Sequence, residues 1–345
     1  MKSPAVLLIN DIHVSKDSIE EFEKNWNEAL NVCMRNNIRR IVVGGDLWQS
    51  RSSQTLSTLM SVRKVIKEAY YNKIYLTLAE GNHDKVDPES FDGYNHVFSE
   101  YFGVNVVDVC EVISVSDKCN IYVMSYFPEN TTFCKHLNDV VEHLLDQNKY
   151  NILYIHEGIN GALSTPSDKE LSPDIFGDFD KVLVGHYHNR CKIKNTNIEY
   201  IGSSRQHNFG EDEEKGYTIV YDDGSHEFVE NKENIRYKVI DIAPRDITNS
   251  LYNELLDIQG QGVYKVKLRI RCKSTEVSTI DRNKLIESGA TKVEFVTEET
   301  EISETANLSL EKKFDKAGIK DEYSRFCENK DVDVKLGLSY LDRLN

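Results

Sequence analysis

A CxxC pair occurs nowhere in this sequence. Its seven cysteines (Cys33, Cys110, Cys119, Cys134, Cys191, Cys272 and Cys327) are scattered and odd in number. That argues against a structural zinc and suits a reducing compartment. Long apolar runs are lacking too. The stretch 5–9 is shorter than a signal-peptide core, and no run approaches the ~20 residues that span a bilayer. The expectation is a cytoplasmic protein, bacterial or made by a phage in its host, with no membrane contact. Positive charge is scarce: the formal net charge is −15 over 345 residues. Such a chain does not coat nucleic acid by bulk potential, so a local basic patch or a partner would have to supply that field. Internal repeats and low-complexity tracts are absent. What remains is a globular composition, 39% hydrophobic and 29% charged, long enough for one large domain with one or two small ones.

Five short apolar runs end in the same kind of residue. Ala5-Val6-Leu7-Leu8-Ile9 leads into Asn10-Asp11-Ile12-His13, and Ile41-Val42-Val43 into Gly44-Gly45-Asp46. The run 74–79 leads into Gly81-Asn82-His83-Asp84, Ile152-Leu153-Tyr154-Ile155 into His156-Glu157, and Val182-Leu183-Val184 into Gly185-His186-Tyr187-His188. Runs of this composition read as strands buried on both faces, and α/β sheets gather ligands beyond the carboxyl ends of their strands. The pattern predicts one polar site at one edge of a sheet; the alternative is five unrelated turns.

Between these runs the periodicity is helical. A capping box of Ser18 and Glu21 is expected to open a helix carrying Ile19, Phe22, Trp26, Leu30 and Cys33 on one face. A second helix is expected over about 53–70, with Leu56, Leu59, Met60 and Val65 inward. Short strands follow at 105–109, 111–115 and 121–126, then a helix near 137–147. Residues 191–240 read as antiparallel meanders, with Asp222-Asp223-Gly224 as a hairpin turn. The composition changes after Arg236. Residues 237–296 alternate strand, helix, strand, helix, strand and predict a second, small α/β domain. Residues 297–345 read as an acidic linker and a charged helical tail with sparse apolar positions (Leu308, Phe314, Val334, Leu338, Leu341).

Seven residues offer metal ligands: Asp11, His13, Asp46, Asn82, His156, His186 and His188. A donor set of nitrogen and oxygen suits Mn(II), Fe(II), Mg(II) or Zn(II). Seven donors exceed the need of one tetrahedral ion but match two ions sharing a carboxylate, with Asp46 as the natural bridge. Two ions about 3.5–4 Å apart clamp the attacking and leaving oxygens of a phosphoryl centre. Alternation along extended segments would put both members of Asp-x-His and of His-x-His on one side. His83 is then in reach of a bound phosphate without being a ligand, and could protonate the leaving oxygen.

In this order the motifs Asp11-x-His13, Gly45-Asp46, Gly81-Asn82-His83-Asp84, His156 and Gly185-His186-x-His188 resemble the calcineurin-like metallophosphoesterases, over residues 1–230. Gly44-Gly45-Asp46-Leu47-Trp48, Tyr200-Ile201-Gly202-Ser203-Ser204, Phe209-Gly210-Glu211 and Lys215-Gly216-Tyr217 resemble the SbcD nuclease branch. Size and tail are most similar to the recombination endonuclease subunits of T-even-type phages. The resemblance implies an α/β fold: a sandwich of two mixed β-sheets flanked by helices (1–236), a small α/β capping domain (237–296) and a helical partner-binding tail (297–345). It implies a hydrolase with two manganese ions that degrades duplex ends 3′ to 5′ and nicks single strands. Its setting would be DNA recombination and repair, with an SbcC-type coiled-coil ATPase bound through the tail and a homodimer possible. By motif position, Asp11, His13, Asp46 and His188 would hold one ion, Asp46, Asn82, His156 and His186 the other, and His83 would be the catalytic histidine. Relatives often carry a histidine where this chain has Gln49, which cannot titrate.

Two other functional readings compete: a stand-alone phosphoesterase on nucleotides or phosphoproteins, and a binding subunit whose metal site is structural. His96, His136, His143, His207 and His226 match no motif and read as surface or core residues. Glu157 is either a support for its neighbour or a solvated charge, Asp84 orients His83 or caps its loop, and Arg205 touches phosphate or lies on the surface. In residues 264–273, Lys265, Lys267, Arg269, Arg271 and Lys273 alternate with apolar residues, which predicts a strand with five cations on one face. That face is a candidate DNA contact, the alternative being a solvated edge.

Overall fold

The computed structural model describes residues 2–128, 132–163, 167 and 169–297. The expected tail beyond Thr297, with Cys327 and its five apolar positions, lies outside the described residues. The chain divides into two compact units, residues 1–237 and 238 onward.

The first unit is built on two six-stranded sheets. One runs β12-β11-β1-β2-β3-β4 and the other β5-β6-β7-β8-β10-β9. In the first, β1 (Pro4–Ile9), β2 (Arg40–Gly44), β3 (Tyr75–Ala79) and β4 (Val104–Val107) are parallel, linked by α1 (Ile19–Arg35) and α2 (Leu56–Tyr71). β11 (Gly216–Tyr221) then joins the other side of β1 antiparallel and pairs with β12 (His226–Glu230). The second sheet holds β5 (Cys110–Ser116), β6 (Cys119–Met124), β7 (Tyr150–Ile155), β8 (Lys181–Val184), β9 (Cys191–Lys192) and β10 (Ile198–Tyr200), with α3 (Thr132–His143) before β7.

Three apolar layers follow from alternation along these strands. Leu7, Ile9, Ile41 and Val43 meet Phe22, Trp26, Val62 and Val65 of the helices. Val6, Leu8 and Val42 face Ile121, Ile152, Tyr154 and Leu183 of the other sheet. Leu153, Ile155 and Val182 cover the far side with Phe133 and Leu137 of α3. Strands sealed on both faces explain the continuous apolar runs. The two-sheet α/β architecture therefore agrees with the fold expected from sequence.

Several local expectations do not hold. Ser18 precedes α1 but makes no side-chain cap bond to the helix; its hydroxyl accepts from Ser15 N–H at 3.0 Å, and Glu21 is engaged elsewhere. Leu56 and Met60 point to solvent, and α2 is anchored by Val62, Val65, Ile66 and Ala69. Residues 191–240 are not one meander, because β10 pairs in parallel with β8 while β11 and β12 belong to the first sheet. The hairpin at Gly224 forms, with Tyr221 N–H donating to Ser225 O at 2.8 Å.

The second unit contains the three-stranded sheet β13-β14-β15. β13 is Arg236–Ile242, β14 Tyr264–Arg271 and β15 Lys292–Val296; α4 (Asn249–Gln261) and α5 (Arg282–Glu287) alternate with them. Leu251, Leu255 and Leu285 close over Val266, Leu268 and Ile270. The opposite face of β14 carries the cations, and carboxylates of the flanking strands meet them. Lys267 lies 2.8 Å from Glu294, Arg269 3.7 Å from Asp241 and 3.9 Å from Glu294, and Arg271 3.5 Å from Asp241.

Candidate metal centre

The five ligand-bearing turns do not share one sheet edge. Those after β1, β2 and β3 leave the first sheet, while those after β7 and β8 leave the second. The site therefore straddles the sandwich where the carboxyl ends of both sheets meet. Tyr154 links the sheets there, its hydroxyl donating to Asn10 Oδ1 at 2.8 Å. The turns after β1 and β2 are zipped together by their backbones. Asp11 N–H donates to Gly45 O, Ile12 N–H and His13 N–H to Asp46 O, and Val14 N–H to Leu47 O, at 2.8–3.1 Å.

Four of the seven candidate ligands occupy the left-handed backbone region: Asp11 (φ 49°), His13 (φ 49°), Asp46 (φ 52°) and His186 (φ 88°). Non-glycine residues are uncommon there, and clusters of them mark positions that the surrounding structure forces. Asp11 and His13 thus converge through tight turns, not through the extended alternation expected from sequence. Two glycines make room. Gly45, at φ +101°, would place a Cβ 2.5 Å from His156 Nδ1, and a Cβ on Gly81 would collide with the Asp46 carboxylate.

The polar atoms meet around the two aspartates. Asp46 Oδ2 lies 3.3 Å from His156 Nε2 and 3.5 Å from His13 Nε2. Asp11 Oδ1 lies 3.8 Å from both His156 Nε2 and His188 Nε2, and 3.9 Å from His13 Nε2. His13 and His188 approach through their Nε2 atoms at 3.1 Å, and His186 Nδ1 is 3.3 Å from Asn82 Oδ1. All seven sequence-predicted ligands are brought together. Asp11, His13 and His188 form one group able to hold a cation; Asp11, Asp46 and His156 form a second, and His13, Asp46 and His83 a third.

The remaining nitrogens of these rings are fixed from behind. His156 Nδ1 donates to Gly44 O at 3.0 Å, so its Nε2 must face the aspartates without a proton when the ring is neutral; that buried Nε2 has no hydrogen-bond partner. His188 Nδ1 is held by Glu211 at 2.8 Å. Outer partners of this kind set the tautomer and aim of a ligating imidazole. Burial pushes His13 down to about 4 despite Asp46 and Asp11. Burial likewise lowers His186 to about 4, helped by His156. Burial also opposes charge on His156, but Asp46 and Asp11 outweigh it and raise that ring to about 10. Burial alone would raise Asp46; His156 and His13 instead hold it well below the usual carboxylate range. Converging imidazoles and carboxylates, with a buried nitrogen lacking a partner, fit divalent cations bound by nitrogen and oxygen.

His83 stands at the mouth of the cluster. Its backbone N–H donates to Asp46 Oδ1 at 2.8 Å and its Nδ1 to Gln49 O at 2.8 Å, which fixes the ring in place. Gln49 serves through its carbonyl, whatever its side chain does. Asp84 caps the loop: its carboxylate accepts from Trp48 N–H at 2.9 Å and Gly81 N–H at 2.7 Å. Glu157 is fully buried, accepting from Phe127 N–H at 3.2 Å, so a solvated charge is ruled out.

Three supporting residues escaped sequence reasoning. Arg205 is neither a phosphate contact nor a surface residue. It is buried, its Nε and Nη2 donate to the carbonyls of Ile12 and His13 at 3.2 Å, and its Nη1 pairs with Glu21 at 3.0 Å. His207 donates from Nε2 to Asp11 O at 2.8 Å and stands 5.0 Å, ring to ring, from His13. Glu211 is the third, through its grip on His188. The Phe209-Gly210-Glu211 motif signalled the third, and Arg205 was singled out for a different role. His207 also lines the cleft over the cluster, about 360 Å³, together with Gln49, Arg51, His83 and Asn208. Of the other unassigned histidines, His96 bridges Glu80 and Asp108 at 3.0 Å each, and His226 pairs with Glu199 at 3.1 Å. His136 packs 4.6 Å from Phe127 and His143 is exposed. No helix among the described residues is long and apolar enough to cross a membrane.

No family model matches the chain. Among solved structures, it superposes on a Pseudomonas putida nuclease MPE at TM-score 0.27 and 15% identity, covering 55% of this chain and 65% of that one. It superposes on a dimetal phosphatase from Danio rerio at TM-score 0.38 and 10% identity, covering 56% and 85%. Likenesses at this level carry no conclusion about the site. In sequence it is 25% identical over 203 residues to the SbcD subunit of the SbcCD nuclease from Staphylococcus saprophyticus, covering 52% of this chain and 54% of that protein. It is 26% identical over 260 residues to the same protein of Staphylococcus epidermidis, covering 68% and 65%. The chain spans between half and two thirds of the length of these relatives. The resemblance to SbcD-type nucleases read from the motifs is thus borne out as sequence similarity to proteins of that name.

Proposed function

We propose that this chain is a two-metal-dependent DNA phosphodiesterase, the nuclease subunit of an SbcCD-like complex. The carrying observation is the convergence of Asp11, Asp46, His13, His156 and His188 on one point, with His83 at its mouth. Asp11, His13, Asp46 and His188 would hold one ion, and Asp46, Asn82, His156 and His186 the other. Bound there, two divalent ions, manganese in this reading, would supply the positive charge that draws a phosphodiester in and stabilises its reacting state. The chain's own residues do the rest. Asp46 presents one oxygen to His13 and His156 while the other holds the His83 backbone. Gln49 O fixes the His83 ring, so that Nε2 can deliver a proton to the leaving oxygen. Arg205 and His207 grip the carbonyls of the Asp11–His13 turn and keep its side chains aimed.

The finer reading is exonuclease action 3′ to 5′ on duplex ends and endonuclease action on single strands. DNA and an SbcC-type ATPase would be the partners, the ATPase engaged through residues 297–345 and the second unit capping the substrate. Similarity to proteins named as subunits of a nuclease supports it. The test is Mn(II)-dependent release of nucleotides from a linear duplex, compared with hydrolysis of a mononucleotide diester. Cleavage of the diester alone would favour a stand-alone phosphoesterase. A folded, metal-loaded protein inactive on both would make the site structural.

A further inference from the structure

At the opposite end of the first sheet from the metal cluster, aromatic rings stand out in solvent. α2 ends in Tyr70 and Tyr71, β3 opens at Tyr75, and Phe102 lies just before β4; they are 50%, 74%, 59% and 83% exposed. Tyr70 is 6.0 Å from Tyr71 and 6.5 Å from Phe102, ring to ring. Gly103, at φ +81°, lets the rings of Tyr70 and Tyr75 close over the backbone, 3.3 and 3.8 Å from where a Cβ would sit. Two clefts open among these rings, of about 360 and 180 Å³; Lys73 lines one, Lys67 the other, and neither is lined by a carboxylate. That selection of sign stands out in a chain with 57 acidic and 42 basic residues. Neither lysine makes an ion pair with another described residue.

We propose that this face is a stacking platform for single-stranded nucleic acid. Rings such as these accept bases of any sequence, and cations beside them follow the phosphates. A protein partner would also use tyrosines, but protein interfaces are depleted of lysine, whereas each of these clefts is lined by one. The five residues of β3 put roughly 17 Å between Tyr75 and the turn that carries Asn82. A base stacked on the platform is therefore not itself in the metal cleft. The proposal goes beyond the nuclease reading and does not depend on it.

The test uses the full chain in EDTA, with fluorescein-labelled (dT)20 followed by anisotropy. Tyr71→Ala combined with Phe102→Ala should weaken binding at least about tenfold, given what one stacked base contributes. Tyr71→Phe, which keeps the ring, should not. Lys67→Gln with Lys73→Gln should flatten the slope of log affinity against log salt by about 1.4 units. All four side chains are at the surface, and unchanged melting temperatures would confirm that the variants fold. Equal affinity of wild type and the Tyr71/Phe102 variant overturns the proposal, as does a failure of the wild type to bind (dT)20. A dimer in sedimentation that this variant dissolves would also overturn it, showing the face to be an interface between copies. Hydrolysis of a small diester should be the same in every variant. Its absence from all of them, wild type included, would count against the nuclease reading and leave the platform untouched.

Discussion

Asp46, in the turn after β2, and Arg269, on β14, both stand among charged neighbours, yet their surroundings differ in kind. Around Asp46 the side chains are held from outside the cluster, His156 by Gly44 O and His188 by Glu211, and their inner nitrogens converge on the two aspartates. Around Arg269 the charges satisfy each other side by side, Lys267 with Glu294 and Arg271 with Asp241. The difference separates a site from a surface. A binding centre keeps valence unspent at a common point and supports it from behind. A ladder of pairs has little left over for a ligand, whatever its count of cations.

The largest effect should come from the cluster's shared carboxylate. Asp46→Ala should abolish Mn(II)-dependent diester hydrolysis and lower the Mn(II) stoichiometry seen by calorimetry; near-normal turnover would undo the two-ion reading. Next, His83→Asn should slow hydrolysis by about 10²–10⁴-fold, the usual contribution of a general acid, with both ions still bound. Loss of an ion with that change would move His83 into the ligand set, as its proximity to His13 and Asp46 permits. Arg205→Ala removes a buried partner of Glu21 and frees two carbonyls, so it should cost about 3–5 kcal/mol in urea unfolding. Arg205→Lys should recover only part of that, since a lysine cannot reach both carbonyls and the carboxylate in one plane. The smallest effect belongs to the ladder. Replacing Lys267, Arg269 and Arg271 together with Gln should flatten the salt dependence of duplex binding by about one unit, one phosphate's worth, because their carboxylate partners must first be displaced. A change of about three units would show that the pairs open for DNA, and the contrast between the two regions would fail.

Much of the centre was legible because each ligand sits within a few residues of a strand end, where an apolar run and a small polar motif adjoin in sequence. The strands of the second unit were legible for the same reason. What escaped was carried by distance along the chain. Arg205 acts on Ile12 and His13, and His207 on Asp11, across more than 190 residues; nothing local marks an arginine or histidine as the clamp of a far turn. The partition of strands between two sheets was hidden likewise, since β8 and β10 look like neighbours of β11 until their pairing is seen. The left-handed turns at Asp11 and His13 were invisible because their cause lies in Asp46 O and Leu47 O, on another loop.

The pairing of β1 with β11 has a consequence in time. Leu8 lies opposite Thr218, and the residues that steady the Asp11–His13 turn come from the segment just before β11. At ribosomal speeds of about 5–20 residues per second, some 10–40 s separate the emergence of β1 from that of its partner. For most of that interval the nascent chain carries Asp11, His13 and Asp46 without His188, and Arg205, His207 and Glu211 follow only near its end. The order of synthesis thus sets when the cluster can be completed: its last supports, Arg205, His207 and Glu211, are made long after the turn they steady.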